Sequence, residues 1–137
     1  MIALNRDTYT SRLMICFAIS VIAWVAFAGF FTAFWPGQQT AGSTVFWLWL
    51  LVAFPAIILA TILIFRLMKI PRAMAPAAAA ALSAPALCLD VLTTTFFETW
   101  VPHASVMDDR AYAAMVLGGV GFLLFTGLAV GRTKDAA

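Results

Sequence analysis

Asp90 is the first residue to account for, because it is an ionisable side chain inside an otherwise uncharged run from Ala73 to Phe97. A carboxyl in such a place either binds a proton or a cation, or accepts hydrogen bonds that tie its helix to a neighbour. At about 100° per residue, Ser83 and Phe97 fall within roughly 20° of Asp90 on a helical wheel, Thr94 within about 40° and Glu98 within about 80°. The spacing predicts a polar stripe through Ser83, Asp90, Thr94 and Glu98. In the functional reading Asp90 is the titrating or coordinating group, Thr94 is a second ligand, and the site is reached from outside. In the structural reading Asp90 ties its helix to Ser20, Trp24, Thr61 or the carbonyl freed by Pro85. Either way an acid costs about 2.5 to 3.5 kcal/mol at the centre of a span and less toward the interface, and Asp90, roughly 9 Å outward of the centre, is expected to face the other helices and not lipid.

Other residue types carry less chemistry. His103 is the single histidine, so haem ligation by paired histidines is excluded, and a zinc site would need ligands that the chain does not supply. Cys16 and Cys88 have no CxxC neighbour and lie in different spans, at depths roughly 18 Å apart. A disulfide needs Cα atoms within about 7 Å, so the two are expected to be unbridged. Serines and threonines lack a general base for acyl transfer, and Glu98, Asp108 and Asp109 read as solvated loop acids more readily than as a divalent-ion site. No catalytic, metal or cofactor motif emerges, and a non-enzymatic role is expected. The net charge of +2 is scattered along the chain, without the basic stripe that a nucleic-acid partner requires.

The elements that position Asp90 follow from composition. Of 137 residues 64% are hydrophobic and 10% charged, against roughly 45 to 50% and 25% in soluble domains. A water-soluble fold is excluded. The apolar residues fall in four runs, at about 13–34, 44–65, 73–97 and 111–130, and about 20 helical residues cross the roughly 30 Å hydrocarbon layer. The sequence therefore predicts an all-α, four-helix transmembrane bundle forming a single membrane domain over residues 1–137. Basic residues mark the cytoplasmic side. Arg6 and Arg12 precede the first run, Arg66, Lys69 and Arg72 fill the second turn, and Arg132 and Lys134 follow the fourth run. Four crossings place all three groups on one side, so both termini are expected inside. Trp35, Trp47, Trp49, Trp100 and Tyr112 cluster at the opposite ends of the runs, as an interfacial aromatic belt does. A cleavable signal peptide ending near Ala26, Phe27 and Ala28 is the rival for the first span, but apolar residues continue through Phe34.

Lipid tails are as apolar as leucine, so helices in a bilayer associate through small residues and interhelical hydrogen bonds. The third span has Ala77 to Ala81, Ala84 and Ala86. The fourth has Ala114, Gly118 and Gly121 on one stripe, and Gly127 with Gly131 at the GxxxG spacing. These are the expected seams, within one chain, in a homo-oligomer or against a larger membrane partner. Pro55 and Pro85 each remove a backbone donor inside a span and predict kinks.

The segment Leu89, Asp90, Val91, Leu92, Thr93, Thr94, Thr95, Phe96, Phe97, followed by Pro102, resembles the third-helix segment of a bacterial family of short, four-helix membrane proteins of unknown function. The resemblance implies a four-helix fold and a bacterial inner-membrane location, and it brings no activity with it. Two roles are expected from the residues. One is a small transporter or ion-pathway protein centred on Asp90, with self-association to enclose the path. The other is a structural or accessory subunit packing through the glycine stripe of the fourth helix.

Overall fold

Each apolar run becomes a helix, the form in which backbone groups satisfy one another without water. A computed structural model describes residues 6–34, 42–96, 99 and 106–132. Helix α1 spans Arg6–Phe34, α2 Thr44–Leu67, α3 Ala75–Thr95 and α4 Val106–Arg132, with a 3-10 turn, Arg72–Met74, leading into α3. No strand occurs among the described residues. All four helices are long and apolar enough to cross a membrane. Helix α1 starts well before the apolar run, with Asp7 in its first turn, where a negative side chain complements the helix dipole. An apolar run marks the length that suits lipid; the helix itself continues into polar sequence.

Local sequence sets the helix ends. Ser43, extended at φ −68° and ψ 156°, accepts from the Phe46 amide and caps α2. At the other end Lys69 adopts φ 50°. Its amide donates to the Arg66 carbonyl and that of Ile70 to the Phe65 carbonyl, a Schellman closure that also folds Ile70 onto the core beside Phe65. The Arg12 guanidinium donates to the Lys69 carbonyl and ties α1 to this turn. Both helices run on through their internal prolines, Pro55 in α2 and Pro85 in α3.

Helix α3 is the most buried of the four. It packs against α4 on one side and α1 on the other, and α4 packs against α2. The order around the bundle is therefore α1, α3, α4, α2, and the edge between α1 and α2 is not closed by extensive helix contact. The alanines and glycines explain the α3–α4 seam. A Cβ on Gly127 would lie 2.3 Å from the Ala79 Cβ and 3.0 Å from the Ala75 carbonyl oxygen, and one on Gly131 2.9 Å from the Pro76 ring. Gly118 packs under the Phe54 ring of α2, whereas Gly121 has nothing within 4 Å of its Cβ position. The GxxxG seam lies within the chain.

Two apolar clusters hold the bundle, one at each end. At the end carrying Arg12, Arg66, Lys69 and Arg72, the basic end, Cys16, Phe65, Ala75, Ala78, Ala79 and Leu82 pack together, with the Cys16 sulfur 3.9 Å from that of Met68. At the far end the cluster is Phe31, Phe46, Leu50, Ala111, Tyr112 and Met115. Outward-facing Ile22, Leu51, Leu59, Leu117 and Phe125 are 64 to 71% exposed. An apolar surface spread over the whole bundle fits lipid as the surrounding solvent.

Candidate functional site

Between the two clusters lies a cavity of about 290 Å³. All four helices line it: Ile19, Ser20, Trp24 and Phe27 from α1, Ala53, Ile57, Ala60 and Thr61 from α2, Leu82, Ala86 and Asp90 from α3, and Met115, Val116, Gly119 and Leu123 from α4. Among the lining residues Asp90 alone is ionisable. It is 7% exposed, so this helix face does turn inward.

The carboxylate is held on one side only. The Trp24 indole N–H donates to Oδ1 at 2.8 Å and the Tyr112 hydroxyl donates to the same oxygen at 2.7 Å. Oδ2 takes no hydrogen bond from the described residues. Asp90 stands on the cavity wall. Two donors on one carboxylate oxygen, at about 1 kcal/mol each when neutral and about twice that when ionised, are of the size needed to offset the cost of an acid in a span.

Tyr112 is itself fixed by aromatic packing. It is 1% exposed, and its ring meets Phe31 edge-on at 4.9 Å between centroids and Phe27 at 5.9 Å. Among the described residues, no member of the stripe expected from the wheel bonds to the Asp90 carboxylate. The Ser83 hydroxyl donates to the Ala79 carbonyl at 2.8 Å and that of Thr94 to the Asp90 carbonyl at 2.9 Å. Neither residue lines the cavity. Thr94, exposed on α3, is no second ligand to the carboxylate. Glu98 and His103 lie outside the described residues, and so does the side chain of Asp108.

The reason is general to this setting. With no water available, a Ser or Thr hydroxyl in a span turns back to its own helix carbonyl. Thr61 does so with Ile57, Thr93 with Leu89 and Thr126 with Phe122. Ser20 is the exception: its hydroxyl crosses to the Leu82 carbonyl on α3. Of the partners considered for Asp90, the indole of Trp24 is the one that reaches it. Tyr112 lies outside the reach of a wheel drawn for the Asp90 helix, and its place near a helix end assigns it to the interfacial belt. The available signal was depth: Asp90 sits shortly before the end of α3 and Tyr112 shortly after the start of α4, so an antiparallel pair brings them level.

Cys16 is buried, Cys88 is exposed, and both are free. No three His, Cys, Asp or Glu side chains come together among the described residues. Asp109 departs from the expectation of a solvated loop acid: its Oδ1 is shut from solvent and has no hydrogen-bond partner among the described residues.

Residues 34–134 match a protein family described as a family of unknown function (DUF5367). No curated protein and no solved structure matches the chain.

Proposed function

The chain belongs to the DUF5367 family of unknown function, and from that premise we propose that it is a small membrane transporter or ion-pathway protein with Asp90 as its titrating or coordinating group. One observation carries the reading: a buried carboxylate on the wall of a cavity midway along the bundle takes both of its hydrogen bonds from the described residues on a single oxygen, Oδ1. A carboxylate serving only as a structural tie gains nothing from a cavity beside it, since an empty space forfeits packing contacts. The cavity is lined by the four helices of one chain, which supports a path that needs no second copy. The host membrane in this reading is a bacterial inner membrane, with both termini cytoplasmic.

The accessory-subunit reading keeps Gly121 of its stripe, exposed with nothing within 4 Å of its Cβ position, while Gly118, Gly127 and Gly131 are spent on contacts within the chain. The test is proton or cation flux into vesicles reconstituted with the parent or with Asp90→Asn. The parent is expected to carry a pH-dependent flux that the variant lacks. A parent without flux that co-purifies with a larger membrane protein would overturn the transport reading in favour of the accessory one.

A further inference from the structure

The geometry points to a lipophilic organic cation, an apolar body of one or two rings bearing an ammonium group, as the ligand of the cavity. This assignment rests on the transport reading above and names its substrate class. Three observations carry it. The wall is almost wholly apolar, with Ile57, Met115, Val116 and Leu123 among its members, and Asp90 is its single charge. Calcium and magnesium take six or more oxygen ligands, and besides the Asp90 carboxylate the side chains of the wall offer only the two hydroxyl oxygens of Ser20 and Thr61. An ammonium needs only one carboxylate and aromatic faces beside it. Trp24 and Phe27 line the same cavity, so the charged end of the ligand pairs with the Asp90 carboxylate while its body fills the apolar remainder.

Size and access agree. An apolar cavity of about 150 Å³ holds benzene, so a space of about 290 Å³ suits a body of one or two rings with its ammonium. The aromatic cluster closes the far end and the Cys16–Phe65 cluster the basic end. The loosely packed edge between α1 and α2 remains. Ala23 and Ala60 stand there, both exposed and both lining the cavity. Small exposed residues on the rim make a lateral mouth toward lipid, the phase in which a lipophilic cation concentrates.

The test is equilibrium binding of radiolabelled benzyltrimethylammonium to the full-length protein in detergent, with neopentylbenzene, its uncharged carbon isostere, as competitor. The expected result is saturable binding that falls about ten-fold or more in Asp90→Asn and is lost in Ala60→Phe and Ala23→Phe, which fill the mouth from opposite sides. Circular dichroism on each variant verifies that it is folded, and either mouth variant alone suffices. Absence of saturable binding, equal competition by the uncharged isostere, or undiminished binding in a folded mouth variant would overturn the assignment. Vesicle flux separates the two proposals. Proton or potassium flux without amine binding leaves the transport reading and removes this ligand, whereas amine binding without flux of any cation does the reverse.

Discussion

Asp90 shares one carboxylate oxygen between two donors on two other helices, which makes the effect of its replacement specific to the atom kept. Asp90→Asn retains a carbonyl oxygen that both donors can use. Asp90→Ala takes that acceptor away from the Trp24 N–H and the Tyr112 O–H. A buried donor that loses its acceptor costs up to about 1 to 3 kcal/mol, so with two donors the alanine variant is expected to lose about 2 to 6 kcal/mol and the asparagine variant much less. Thermal unfolding of both in the same detergent decides it, and equal losses would mean that the two donors do not depend on Asp90. This also marks what was legible in the sequence at this scale. Asp90 stands out by its type and setting, and Trp24 was within reach as a partner. Ser83 and Thr94 share its face on a wheel, but angular position says nothing about a hydroxyl that turns back to its own backbone. Partner choice depends on which helices adjoin and at what depth, and no single-helix pattern contains that.

Helices are the scale at which sequence and structure agree most closely, because in lipid an apolar stretch of sufficient length has few alternatives to a helix. The ends differ for a physical reason: hydrophobicity stops where the apolar layer stops, whereas α1 extends to Arg6 and α4 to Val106. The small-residue stripes identified α3 and α4 as closely packed without saying which glycines touch what. Gly127 and Gly121 resemble each other in sequence and differ sharply in place. A methyl group on Gly127 would collide with the Ala79 side chain and crowd the Ala75 backbone, while one on Gly121 meets nothing. Overpacking of this kind costs about 1 to 3 kcal/mol, and an unencumbered surface change stays within about 0.5 kcal/mol. Gly127→Ala is therefore expected to lower the unfolding midpoint in detergent and Gly121→Ala to leave it in place. If the destabilised variant were Gly121→Ala instead, the seam would have to lie between copies of the chain.

At the scale of the whole molecule, the helix order and the charge distribution set an orientation. Arg12 bonds to the turn that contains Lys69, and Gly131 rests against Pro76 and the Arg72 carbonyl. Arg12, Arg66, Lys69, Arg72 and Arg132 are thereby gathered at one end, while Asp109 and Arg110 lie near the start of α4 at the other. Moving basic residues across a bilayer is opposed during insertion, so the end rich in arginine and lysine is expected to face the cytoplasm. In the transport reading proposed above, the orientation sets the side from which a ligand leaves, because the two ends of the bundle differ in kind. The aromatic cluster at the far end contains Tyr112, which bonds to Asp90, whereas the Cys16–Phe65 cluster has no polar link to the acid among the described residues. Thr44 and Ala73 are exposed at opposite ends of the bundle and give the test. In a background with Cys16 and Cys88 replaced by alanine, Thr44→Cys is expected to react with a membrane-impermeant maleimide on intact cells, and Ala73→Cys only after lysis. The reverse pattern would turn the bundle over, placing the Tyr112 closure on the cytoplasmic side.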